Sequence, residues 1–247
     1  MTRADVPVLA VVVATRGGTR LEPALESVEW ARERAVLDPV GEVMPAQLPP
    51  GVRLGRDAGS LAALGSAGWL LLLGEHERAT DEVAAACAAA VRDGAPARPI
   101  SVRVEMLGVC FAPRVHPVRL ASREGSVLAL DRTLELELRA RSTPGRALDA
   151  ALLAKGGESV AAAVDALEPA ARALAALLVQ LGKQPRPLAL AIDPLAAILR
   201  TLRARPTGSG RLARWAAAVL TGYRVVLAHA MLWEWQHAQP ATVRVVA

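Results

Sequence analysis

The sequence predicts an α/β protein with a mostly parallel sheet flanked by helices, followed by a helical C-terminal region. Three observations predict it. The chain opens on "VPVLAVVVA" (6–14), a continuous apolar, β-branched run suited to a strand covered on both faces. Strand-like and helix-like segments then alternate as far as Gly94, the pattern of βαβ units. Beyond residue 142 the chain turns rich in alanine and leucine at helical spacing.

The elements follow in order. After the first strand comes the turn Gly17-Gly18, then a short amphipathic helix in "RLEPALESVEWA". "ERAVLD" (33–38) is a second strand, and the Pro- and Gly-rich span 39–51 is irregular. "GVRL" is a short third strand, and "DAGSLAALGSAG" reads as a helix with Asp at its N-cap and glycine at its end. "WLLLL" is a central strand, and "ATDEVAAACAAAVRDG" is a helix stopping at Gly94. Ligands of such a sheet bind beyond the carboxyl ends of its strands. From residue 100 the segments "ISVRVEMLGVCFA", "HPVRLAS", "SVLAL" and "LELELRA" alternate with period two, as strands with one exposed face do. "ESVAAAVDALEPAARALAALLVQLG" is a long amphipathic helix with Pro169 as a kink or a helix start. "LALAIDPLAAILRTLRA" and "SGRLARWAAAVLTGYRVVLAHAMLWEWQ" complete the helical part. The boundary between the two regions falls at 141/142, giving a sheet domain over 1–141 and a helical region over 142–247.

Composition narrows the function. With 53% hydrophobic and 21% charged residues the chain can build a sizeable core. Lysine occurs only at Lys155 and Lys183, so 27 of the 29 basic residues are arginine. That bias follows from a GC-rich coding sequence, or from affinity for phosphates, nucleotide sugars or an anionic membrane surface. The basic residues are dispersed and aromatics make up 3% of the chain, which argues against a nucleic-acid surface with stacking rings. Cys87 and Cys110 lack metal-ligand spacing and read as buried thiols of a reducing compartment. The apolar run near the start is too short for a signal-peptide core, and no window of about 18 residues is free of charge. The expected location is the cytoplasm.

"LESVEW", "GWLLLL" and "ERAT", at their separations, resemble family 2 glycosyltransferases of the GT-A fold, of the lipopolysaccharide-core type. The likeness runs from "VVVATRGGTRLEPALESVEWARERAVLD" through "GRDAGSLAALGSAGWLLLLGEHERATDEV" to "TLRARPTGSGRLARWAAAVLTGYRVVLAHAMLWEW". The resemblance implies a GT-A-like nucleotide-sugar-binding domain and transfer of a sugar to a lipid-linked or cell-envelope acceptor. In the family an Asp-x-Asp motif at the end of the central strand holds Mg²⁺ or Mn²⁺, which neutralises the diphosphate leaving group. Asp38 matches the aspartate that reaches the nucleoside. The motif itself is rewritten: Gly74 and His76 stand at the aspartate positions, followed by Glu77 and Arg78. No residue matches the acceptor-side base.

Two readings of "GEHERAT" (74–80) therefore stand side by side. Glu75 and Glu77, two apart, would point the same way in an extended turn with His76 opposite, leaving a replacement pair for Mn²⁺ or Mg²⁺. Otherwise the segment is a solvated strand-to-helix turn, with Thr80 capping the next helix and Asp81 and Glu82 favouring its positive end. Arg16 and Arg20 flank Gly17-Gly18, where a diphosphate would lie, and arginine can offset phosphate charge without a metal. No dinucleotide fingerprint, P-loop or nucleophile elbow occurs. His116 has no supporting geometry as a base, and His229 is expected to be packed or partly exposed rather than catalytic. The last helix sets Trp215, Trp233 and Trp235 among arginines. It suits the inner membrane interface, a protein partner, or plain packing on the core. The alternative to an enzyme is a non-catalytic glycosyltransferase relative, serving as scaffold or regulatory subunit of an envelope or polysaccharide machine.

Overall fold

The computed structural model describes residues 6–14, 21–58, 63–94, 97–112, 116–124, 126–131, 134–140, 143–207 and 211–237. The first-half elements are β1 (Val6–Val13), α1 (Leu21–Glu26), β2 (Ala31–Leu37), β3 (Val52–Gly55), β4 (Trp69–Gly74), β5 (Glu77–Arg78) and α2 (Asp81–Arg92). Strands β6 (Ala97–Pro99), β7 (Ser101–Met106), β8 (Val109–Ala112), β9 (Val118–Ser122), β10 (Val127–Leu130), β11 (Leu136–Arg139) and β12 (Ala151–Lys155) follow. Then come α3 (Val160–Asp165), α4 (Leu167–Gln180), α5 (Ala189–Arg203), β13 (Arg205–Thr207) and α6 (Arg211–His237).

The main sheet has the order β3-β2-β1-β4-β9-β6. Strands β3, β2, β1 and β4 run parallel, and β9 enters antiparallel to both β4 and β6. This mainly parallel sheet flanked by helices is the arrangement expected of a GT-A-like chain. Strand β1 is continuously apolar because both its faces are covered. Val8, Ala10 and Val12 pack with α1, α2 and the second sheet, whereas Leu9, Val11 and Val13 pack toward Leu128, Leu138 and Leu177. Thr80 caps α2 through its hydroxyl, which accepts from the Val83 N–H, and Asp81 and Glu82 occupy the first turn as expected.

A second sheet, ordered β13-β8-β7-β12-β5, lies against the first. It draws β7 and β8 from before residue 141 and β12 and β13 from after it, so the strand-bearing part does not stop at the expected boundary. A separate antiparallel pair, β10–β11, completes the strands.

Other expectations shift as well. The helix expected over 20–31 is α1 alone, and β2 begins at Ala31, two residues early. In the helix expected over 57–68, residues 59–62 lie outside the described residues, and Leu64 beside them is in a tight 3-10 turn. "ISVRVEMLGVCFA" is a hairpin rather than one strand, turning at Leu107 (φ 54°) and Gly108 (φ 72°). Two successive positive φ values match the right-handed twist of the flanking strands. Cys87 is buried, and burial pushes its thiol up to about 12; Cys110 is half-buried rather than buried. Pro169 is a helix start, lying in the first turn of α4, where N–H groups have no intrahelical acceptor. Helices α5 and α6 pack closely at Gly222, where an added Cβ would fall 2.6 Å from Cγ1 of Ile198.

Candidate functional site

Strand β4 delivers Gly74 to Glu77 to the seam between the sheets. The ladder to β1 runs one residue past the strand, the Glu75 N–H donating to the Val13 carbonyl at 3.0 Å. The chain then crosses to the edge of the second sheet through Glu75 and His76 alone, because β5 pairs with β12. The Lys155 N–H donates to the His76 carbonyl at 3.0 Å, fixing that junction. The Arg78 guanidinium reaches back to the carbonyls of Glu75 (2.8 Å) and Glu77 (2.7 Å).

This is not a solvated turn. Glu75 and Glu77 are 0% and 3% exposed, with His76 only partly buried between them. One oxygen of Glu77 accepts the Gly74 N–H at 2.8 Å, and the other pairs with Nη2 of Arg119 at 3.1 Å. An ion pair this dry is held by geometry and would be costly to break from one side. The His76 ring folds back over Gly74: a Cβ at position 74 would sit 3.0 Å from its Cε1. Among the described residues no three His, Cys, Asp or Glu side chains gather as cation ligands. To ligate Mn²⁺ or Mg²⁺, Glu77 would have to leave Arg119. The residues present fit a hard dication poorly.

Asp38 is 2% exposed at the end of β2. Its carboxylate accepts the N–H groups of Val40 (3.2 Å), Gly41 (2.9 Å) and Val43 (2.7 Å), and so folds the Pro- and Gly-containing loop onto itself. A turn built on a carboxylate accounts for this aspartate locally. Arg16 and Arg20 lie outside the described residues. His229 is packed as expected, with Nε2 3.0 Å from Oδ2 of Asp193. Trp215, Trp233 and Trp235 do not fill core gaps: they are 54%, 55% and 41% exposed.

A cavity of about 260 Å³ opens beside the β4 end, with Gly74 and His76 on one wall. The second sheet supplies Val102, Met106 and Phe111, and the helices supply Leu174, Leu177 and Leu220. Four cations line it, Arg119, Lys155, Arg200 and Arg224, against one lining carboxylate, Glu135. Arg200 is already neutralised, since it pairs with Asp131 and, at 2.7 Å, with Glu135. Burial raises the Glu135 carboxyl above its ordinary range, although Arg200 and Arg119 pull it down. Burial lowers the Arg224 guanidinium, with Glu135 acting in the opposite sense. Desolvation outweighs charge pairing at both groups.

Sequence reasoning did not join these five residues into a site because they come from separate elements. The available signal was positional. Arg119 interrupts a buried strand, and Arg224 lies on the buried stripe of α6, four residues before Ala228 and seven after Ala217.

No protein-family model matches the chain, and no curated protein does. Among solved structures, the crystal structure of S. aureus TarS 1-349 is similar at 11% identity and a TM-score of 0.40, over 94% of this chain and 92% of that one.

Proposed function

We propose that the chain is a glycosyltransferase-like protein that binds a nucleotide-sugar donor over the carboxyl ends of β1, β2 and β4. The acceptor is a lipid-linked or cell-envelope glycan. Arginine, with Arg16 and Arg20 nearest by sequence to the end of β1, meets the diphosphate charge in place of a divalent cation. One observation carries the reading: the central parallel strand ends in a buried, rigidly bonded segment, Gly74–Glu77, at the seam between the two sheets. Ligands of parallel sheets collect at such strand ends.

A second reading, a non-catalytic relative serving as scaffold or regulatory subunit, draws support from the internal engagement of Glu77 and Asp38. Stabilisation of a leaving group's charge is commonly the largest catalytic contribution, and a pre-engaged carboxylate contributes none of it through a metal. Calorimetry with UDP- and GDP-sugars, with and without Mn²⁺, tests both. The expected result is binding of one donor with the same affinity in either condition. Binding without turnover on lipid-linked acceptors would favour the scaffold, and no binding of any donor would sink the nucleotide-sugar reading.

The location proposed with it is the inner membrane interface. Helix α6 exposes Leu212, Trp215, Val219, Tyr223 and Trp233 along one face, and α5 exposes Leu188, Ile192, Leu195 and Leu199. By length and composition α6 is also apolar enough to cross a membrane, with mean hydropathy 1.3 over its best window. Its opposite face, however, is committed to the core through Val225, Ala228 and Leu232. An apolar stripe carrying Trp and Tyr, with Arg203 and Arg211 beside it, is the composition of an interfacial helix face.

A further inference from the structure

We propose that the cavity between the second sheet and helices α3 to α6 is a binding site for an amphipathic anion, a phosphate or carboxylate head on an apolar body. It goes beyond the nucleotide-sugar reading: the cavity adjoins the end of β4 through Gly74 and His76, but β7, β8 and the helices build its other walls, with no described residue from the ends of β1 and β2. The first support is Arg119. It is 4% exposed and gives Nη2 to Glu77, while its Nε and Nη1 N–H groups have no partner among the described residues. A buried donor without an acceptor is unfavourable, and a folded chain keeps one where something else supplies the acceptor. The second support is Arg224, whose Nε is likewise buried without a partner.

Water could accept from these N–H groups but would leave the Arg224 charge balanced, among the described residues, only by Glu135, a carboxylate that Arg200 already holds. An oxyanion accepts and also balances that charge, through short, charge-assisted bonds. Of the lining cations, Arg200 is already paired with two carboxylates, so Arg224 and the outer donors of Arg119 are the ones free to receive a head group. Lys155 is exposed and lines the same space, placing a further cation on the route of entry. The remaining wall decides the body of the ligand. Val102, Met106, Phe111, Leu174 and Leu220 offer no donor or acceptor side chain, so a bare inorganic ion would leave most of this surface unused. At about 260 Å³ the space accommodates a head group and a short chain.

The test is calorimetric titration of the full chain with inorganic phosphate, n-octyl phosphate and n-octanol. Octyl phosphate is expected to bind at least about tenfold more tightly than phosphate, with octanol showing no heat of binding. Arg224→Met should weaken octyl phosphate by about tenfold or more while leaving donor binding untouched and the unliganded melting temperature unchanged or higher. Ala170→Phe, which fills the cavity from α4, should abolish octyl phosphate binding without removing any charge. It keeps the test intact if Arg224→Met does not fold. Equal affinities for phosphate and octyl phosphate would reduce the site to an ion site and overturn the proposal. So would unchanged octyl phosphate binding in a folded Arg224→Met or Ala170→Phe protein.

Discussion

The sheet region and the α5–α6 region use the same apolar alphabet to opposite ends. In β1 and β4 every leucine is fully buried, Leu9 and Leu70 to Leu73 alike. From Leu188 onward the chain carries eleven of the seventeen large apolar side chains exposed among the described residues. The sheet encloses its hydrophobic surface within one chain. The helices leave theirs open, which is the observation behind the membrane contact proposed for them. The cavity lies where the two regions join, lined from both.

The largest expected contrast is between two leucine truncations. Leu71→Ala, in the middle of β4, should cost about 2–5 kcal/mol in denaturant unfolding, since it leaves a void among close-packed neighbours. Leu195→Ala, 54% exposed on α5, should stay within about 0.5 kcal/mol. Comparable losses would mean that the α5 stripe is covered within the chain, and the comparison would fail. Next comes the helix crossing: Gly222→Ala forces a methyl onto Ile198 and should cost about 1–3 kcal/mol. The smallest effect on stability, within about 0.5 kcal/mol, is expected for the double change Trp215→Ser, Tyr223→Ser. The same variant should lose most of its co-sedimentation with anionic liposomes. Unaltered sedimentation would remove the α6 face as the membrane contact.

How far the sequence foretold this molecule depends on how locally each feature is encoded. Strand β4 and helix α2 were legible because five apolar residues in a row and a Thr-Asp-Glu cap are local signals. The β7–β8 hairpin was not, because its turn places Leu107 at positive φ, a conformation that leucine does not announce. At the site, the cluster of Glu75, His76 and Glu77 just after β4 was legible in the sequence. The burial of Glu77 was not, because its partner is Arg119, 42 residues further on. The cavity was the least legible feature. Its cations sit at 119, 155, 200 and 224, and only the packing of α4, α5 and α6 onto the second sheet brings them together.

The imidazole lying over Gly74 also constrains how this segment can change. A side chain added at position 74 would meet the ring at 3.0 Å, so the imidazole would have to give way, and shrinking His76 alone opens a gap beside a dry ion pair. The two positions are therefore coupled, each limiting what the other can hold. Changes at 74 and 76 should accordingly be non-additive in their effect on stability.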